Sequence, residues 1–255
     1  MKKNRLSVTI ITLNEQENLV KCLESVKNIA DEVIIVDSGS TDKTVEIAKK
    51  FGAKVYFRKF DDYASQKNFA LSKVMGDWIL ALDADEIVTN ELKEEIQKLI
   101  KTSELDAYSI PRKNYILGKF IKHTRWQPEL DRHIWLWKKD KGGWVGKVHE
   151  EVVVNCKVGR IRNPKIHYQD KTIGEFIRKL NTYSEIEAEE LIDKGFKFSY
   201  FRLFLDPIYE FFVRFFYRLG FLDGWRGFVL SYLMAIYRLI TWIKVWQKES
   251  VSKDN

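Results

Sequence analysis

No Gly-x-Gly-x-x-Gly follows the first apolar run and no Gly-x-x-x-x-Gly-Lys-Ser/Thr occurs, so neither a dinucleotide fingerprint nor a Walker phosphate loop is present. His149-Glu150-Glu151-Val152-Val153 lacks a second histidine four residues on, which excludes the zinc-protease helix motif. Cysteine is scarce: Cys22 and Cys156 lie far apart with no metal-ligand spacing, so neither a disulfide framework nor a zinc cluster is indicated. A reducing cytoplasm suits such a chain. The basic start, Met1-Lys2-Lys3-Asn4-Arg5, leads into an apolar run that reaches only Leu13 and contains Ser7, Thr9 and Thr12. That is too short for a signal peptide core and reads as a first buried strand.

What is present describes a globular protein. Hydrophobic residues make up 45% and charged residues 31% of 255, enough to bury a core, so disorder is not expected. The net charge of +7 permits an anionic partner without naming one.

From Leu6 to Leu82 strand and helix patterns alternate. Val8 to Leu13, Val33 to Val36, Lys54 to Phe57 and Trp78 to Leu82 read as strands. Between them, Glu15 to Ile29, Thr41 to Phe51 and Tyr63 to Val74 read as helices. The alternation predicts an α/β fold with a mostly parallel sheet covered on both faces, whose ligands bind at the carboxyl ends of the strands. Three polar clusters fall at those ends: Thr12-Leu13-Asn14-Glu15, Asp37-Ser38-Gly39-Ser40-Thr41-Asp42 and Asp83-Ala84-Asp85. Two carboxylates in Asp-x-Asp spacing at a strand end suit a divalent metal and a diphosphate, because Mg²⁺ and Mn²⁺ take oxygen ligands and share them with substrate phosphates. Beyond Asp106 the pattern is mixed, with β-like runs at Ala107 to Ile110, His133 to Trp137 and Glu151 to Val154, and an amphipathic helix over Thr172 to Lys194.

Thr-Leu-Asn-Glu, Val-Asp-Ser-Gly-Ser-Thr-Asp and Leu-Asp-Ala-Asp-Glu, in this order after successive strands, resemble the family 2 glycosyltransferases of the GT-A fold. The likeness is close over the first 90 or so residues. Trp126-x-Pro128 and Trp144-Val145-Gly146-Lys147-Val148-His149-Glu150 are similar to the branch that holds lipopolysaccharide-core β-1,4-glucosyltransferases. The resemblance implies an inverting hexosyltransferase with a UDP-sugar donor, Mg²⁺ or Mn²⁺, and a lipid-linked saccharide acceptor. By position Thr12, Leu13, Asn14 and Glu15 line the uridine pocket, Asp37 and Ser38 read base and ribose, and Arg58, Gln66, Lys67 and Asn68 face the nucleotide further on. Asp83, Ala84 and Asp85 meet the ribose and metal, with His167 as a further metal ligand. Glu150 is the expected general base, with Asp131 and Glu151 in reserve. Bland readings stand beside these: Asp37 as a turn residue, Lys67 as solvated surface, His167 as a structural histidine, and Glu150 as a strand-edge ion-pair partner. Trp126, Trp135, Trp137 and Trp144 read as sugar-stacking or core residues.

Composition shifts after residue 195. Residues 196–248 hold 18 of the 35 aromatics with eight Lys or Arg and three acids. The expected organisation is a catalytic domain over 1–195, a helical membrane-associating extension over 196–248 and a disordered tail over 249–255. Asp206 before Pro207 reads as a helix N-cap, with Asp206, Glu210, Arg214 and Arg218 forming a polar stripe. A second helix is expected over about Gly224 to Trp246. Without about 20 uncharged apolar residues in a row, helices lying in the interface are favoured over a span. The expected location is the cytoplasmic face of the membrane, without nucleic acid. Rival readings are a polyprenyl-linked, capsular or protein acceptor, and a non-catalytic protein that binds nucleic acid or lipid.

Overall fold

The computed structural model describes residues 4–102, 104–146 and 150–251. Met1 to Lys3 of the basic start, Lys147, Val148 and His149 of the second motif, and residues 252–255 of the expected tail lie outside them. The first alternation resolves into β1 (Leu6–Thr12), α1 (Leu19–Val26), β2 (Glu32–Asp37), α2 (Thr44–Lys50), β3 (Lys54–Phe57), α3 (Tyr63–Leu71) and β4 (Trp78–Asp83). Strands β1, β2 and β4 are almost wholly buried, as parallel strands covered on both faces must be. Helix α1 presents Leu19, Cys22, Leu23 and Val26 to this core at helical spacing. Helix α3 starts on the Asp62 side chain, which accepts the Ser65 N–H.

The chain continues through β5 (Glu86–Val88), α4 (Asn90–Thr102), β6 (Ala107–Ile116), β7 (Lys119–Phe120), β8 (Arg132–Lys138), β9 (Gly142–Val145), β10 (Glu151–Val154), β11 (Val158–Arg160) and β12 (Lys165–Tyr168). The helices α5 (Ile173–Asp193), α6 (Tyr200–Phe212) and α7 (Trp225–Val251) follow. The main sheet runs β3-β2-β1-β4-β8-β6-β12-β5, with β11 and β7 paired to β6. Its first four strands are parallel, whereas β4 with β8, β8 with β6, and β12 with β5 pair antiparallel. The expected mostly parallel sheet is therefore mixed. Register aligns Thr12 with Asp37 and Ile11 with Asp83, so the three polar clusters leave the sheet side by side.

Two compact units result, one of residues 1–113 and 128–168, the other of residues 114–127 and 169–255. Helix α5 groups with the second unit, and Glu249 to Val251 continue α7. Within that unit α5 opens on a capping box: Thr172 accepts the Glu175 N–H while the Glu175 carboxylate accepts the Thr172 N–H. Its core gathers Ile116, Ile121, Phe176, Leu180, Leu230, Leu233 and Tyr237. Asp206 does not cap a helix: α6 begins at Tyr200 after Ser199, and Pro207 lies in its interior. The helix runs on through Pro207 to Phe212 despite a proline cost of about 3 kcal/mol. The Asp206 carboxylate instead accepts the Trp242 indole N–H at 2.8 Å.

Candidate active site

The site lies in the first unit and begins at the end of β4. Asp83 is the last residue of that strand, Asp85 sits in the turn, and Glu86 opens β5. Strand β12 pairs antiparallel with β5, setting His167 opposite Glu86, and the Tyr168 N–H donates to the Asp85 carbonyl at 3.0 Å. His167 Nε2 thereby lies 3.4 Å from Asp85 Oδ2. Burial pulls the His167 imidazole toward neutrality, but the Asp85 carboxylate outweighs it and raises its pKa above the ordinary value.

Helix α3 supplies Lys67, which is buried and not surface. Its Nζ lies 3.0 Å from Asp83 Oδ1 and 2.8 Å from Glu150 Oε1, and 4.5 Å from the centre of the Trp144 ring. Burial disfavours this ammonium, yet Asp83 and Glu150 together raise its pKa. Burial likewise disfavours the Asp83 carboxylate, and Lys67, Lys165, His167 and Arg112 reverse that and hold it well below the usual carboxylate range. Glu150 thus joins the acidic cluster through one shared cation, although 83 residues separate it from Lys67.

A second buried set supports the first. Glu86 and Lys165 are both fully buried and paired through Glu86 Oε2, which also accepts the Asp83 N–H at 3.0 Å. The Lys165 ammonium lies 3.2 Å from the Trp135 ring centre, and burial lowers its pKa to about 8 despite the Glu86 charge. Arg112 holds Asp131 with its Nε and Nη2 at 2.8 to 3.1 Å, and His133 Nε2 lies 3.2 Å from the same carboxylate.

The loops after β1 and β2 are stitched together. Asn14, at φ 56, accepts the Thr41 N–H at 2.8 Å and donates its own N–H to Ser40. The Glu15 N–H donates to Thr44 Oγ1 at 2.7 Å. The Asp37 carboxylate accepts from Thr12 Oγ1, the Gly39 and Ser40 N–H groups and the Ser40 hydroxyl. Those four bonds match the acceptor positions a carboxylate owns, so Asp37 shapes its loop. Ser38 Oγ accepts from Gln66 Nε2 at 3.0 Å, and Gln66 in turn accepts from Arg58 at 2.7 Å. Leu13 is exposed, while the Ala84 side chain is buried and leaves only backbone for a ligand.

Asn68 ties α3 to β9. Its amide donates to the Trp144 carbonyl at 2.9 Å and accepts the Trp144 N–H at 3.0 Å, which spends both ends on docking β9. Trp135, Trp137 and Trp144 are buried, and the first two each touch the Trp144 ring, so these three are core and not sugar platforms. Glu151 points to solvent from β10, away from the buried cluster.

A divalent cation fits this donor set. Asp83, Glu86 and His167 each offer an atom within 4.8 Å of the others. Glu86 Oε1 is buried without a hydrogen-bond partner and has only a long ion pair to Arg112 Nη1 at 3.8 Å, so a hard cation could still satisfy it. Asp83 and Asp85 are the open carboxylates, 30% and 19% exposed against none for Glu86, so a ligand shared with substrate reaches these two.

Residues 7–169 match Glycosyl transferase family 2. The chain is a family 2 glycosyltransferase. An uncharacterized glycosyltransferase of Rickettsia typhi is 36% identical over 265 residues, covering 100% of this chain and 90% of the relative. The lipopolysaccharide core biosynthesis glycosyltransferase LpsC of Rhizobium meliloti is 32% identical over 96% of this chain and 93% of its own length. The solved S. aureus TarS 1-349, in complex with UDP-GlcNAc, superimposes with a TM-score of 0.50 at 16% identity over 92% of this chain and 81% of that one. The fold is therefore GT-A-like, a Rossmann-type mixed sheet followed by C-terminal helices. Family membership makes this glycosyltransferase a metal-dependent enzyme and sets aside the non-catalytic reading.

Sequence reasoning did not single out Glu86, Lys165 or Arg112. A signal existed for Lys165: it stands two residues before His167 in a strand and so shares its face. Nothing local marks Arg112.

Proposed function

We propose that this glycosyltransferase moves a sugar, glucose by the resemblance, from a UDP-sugar to a lipid-linked saccharide such as a lipopolysaccharide core, with inversion, at the cytoplasmic face of the membrane. The observation that carries the reading is the Asp83–Lys67–Glu150 bridge, because it brings an acid of the candidate metal set together with the carboxylate read as the general base. The name of the Rhizobium relative supports the acceptor class.

In this reading Asp85, Asp83 and His167 would hold the divalent cation, with the buried Glu86 beside them. When bound, that cation offsets charge developing on the leaving diphosphate. Ser38, oriented by Gln66 and Arg58, faces the ribose, and Asp37 keeps the base pocket in shape. Lys67 lies beside the diphosphate and adds a fixed positive charge. Glu150 accepts the proton of the acceptor hydroxyl as the hydroxyl oxygen attacks the anomeric carbon and UDP leaves from the opposite face.

The test separates the two acids. Asp85→Ala is expected to abolish transfer and to weaken Mn²⁺-dependent UDP binding in calorimetry. Glu150→Gln is expected to lower kcat by roughly 10²- to 10⁴-fold with UDP binding retained. A Glu150→Gln enzyme with near-normal turnover would overturn the base assignment, and Asp131, held by Arg112 beside His133, would be examined next.

A further inference from the structure

In the second unit, α6 and its continuation wear their polarity inside out. Along α6 and the π-helical segment Val213–Tyr217, the charged stripe points inward: Glu210 and Arg214 are buried and paired, and Arg214 donates to the Thr124 carbonyl at 2.6 Å. The opposite face exposes Phe201, Phe204, Ile208, Phe212 and Phe216. Helix α7 continues this face with Trp225, Phe228, Tyr232, Ile243 and Trp246. The rings form one patch: Phe211 and Phe215 each touch both Phe216 and Phe228, and Phe228 stacks on Tyr232. A surface helix in water shows the reverse arrangement.

Charge says what covers the patch. All three acids of residues 196–248 are engaged internally: Asp206 by Trp242, Glu210 by Arg214, and Asp223 by the N–H groups of Lys122 and His123. The aromatic rim carries cations instead, with Arg218 over Tyr217 at 5.1 Å and Arg226 over Trp225 at 4.6 Å. Aromatic rings beside arginines, with no free acid among them, match the headgroup zone of an anionic bilayer.

Helix α7 is long and apolar enough to cross a membrane over Trp225–Ser250, with mean hydropathy 1.5. Its other face is committed elsewhere. Arg238 pairs with Glu187, Lys244 with Glu185 at 3.1 Å, and Lys248 with Glu185 and Glu189 at 2.7 and 2.9 Å, all on α5. A span would carry these charges of α5 into hydrocarbon.

We infer that α6 and α7 form an inverted amphipathic hairpin that enters one leaflet of an anionic bilayer with its aromatic face and does not cross it. This deepens the membrane side of the proposed function and rests on that reading. Phe212, Phe216 and Phe228 are 55%, 51% and 48% exposed, so each adds about half a side chain's burial on insertion.

The experiment uses the full chain and vesicles of phosphatidylcholine with or without phosphatidylglycerol. Wild type is expected to float with the phosphatidylglycerol vesicles, and Phe212→Ser/Phe216→Ser/Phe228→Ser to lose partitioning by roughly 100-fold. UDP-sugar hydrolysis with Mn²⁺ in lipid-free buffer is expected to be unchanged by the triple substitution. If that variant fails to fold, brominated lipid placed in the acyl region of the vesicles is expected to quench Trp225 and Trp246 of the wild type. Hydrolysis without flotation or quenching, with the patch buried in a dimer instead, would overturn the inference and leave the catalytic reading intact. Flotation without hydrolysis would support the hairpin while overturning the catalytic reading.

Discussion

Replacing Lys67 by methionine keeps the stem and its volume but removes the charge that joins Asp83 to Glu150. The two contacts, at 3.0 and 2.8 Å, are each worth about 6 kcal/mol of gross attraction at an effective dielectric near 20. Relief of the buried ammonium offsets part of this, and breaking a buried pair leaves a net loss of roughly 3 to 5 kcal/mol. For a chain of this size each kcal/mol moves Tm by about 2 to 4 °C, so a fall of roughly 10 °C is expected in metal-free buffer. The bare acids then repel one another, so Mn²⁺ should raise the Tm of Lys67→Met by more than it raises that of wild type. Scanning calorimetry with and without Mn²⁺ reads both effects. A variant melting within about 2 °C of wild type, or gaining less from Mn²⁺ than wild type does, would refute the bridge as the electrostatic centre of the site.

Two further outcomes follow from polar groups in the first unit. Glu32 is buried, which disfavours its charge, but the Ser7 hydroxyl, Lys54 and the Met75 N–H outweigh burial and bring its pKa from 4.5 to about 2. A depressed folded pKa means its stabilisation is complete above pH 4.5 and is lost as pH falls toward 2, up to roughly 3 kcal/mol. Urea unfolding of wild type and Glu32→Gln between about pH 5 and 3 should show a steeper acid loss in wild type, and equal slopes would contradict this. Asn68→Ala removes two bonds to the Trp144 backbone and should cost about 1 to 3 kcal/mol by urea titration, with kcat falling more than the KM for donor changes. An unchanged stability would show that β9 docks without it.

Much of the donor half was readable because its information is local. Apolar runs ending in Thr12, Asp37 and Asp83 mark strand ends, and parallel pairing then brings those ends together whatever the loops do. Gln66 and Lys67 were picked out by position alone, and packing decided that one orients Arg58 and Ser38 while the other is buried between two acids. Asn68, their neighbour one residue on, turns to the Trp144 backbone instead, because successive residues on a helix face different directions. The sheet's second half was less legible, since antiparallel pairing of β8, β6, β12 and β5 depends on partners scores of residues apart.

By itself the sequence determined the alternation of strands and helices, the order of the acidic strand ends, and the concentration of aromatics after residue 195, because periodicity and composition are carried by neighbours. Only the tertiary structure decided that Glu86, Lys165 and His167 share one buried cluster, since β12 must return antiparallel to β5 to make it. It also decided the direction of the α6 stripe. A helical repeat states that two faces differ, whereas which face is buried depends on what packs against it, here Thr124 on Arg214 and Trp242 on Asp206.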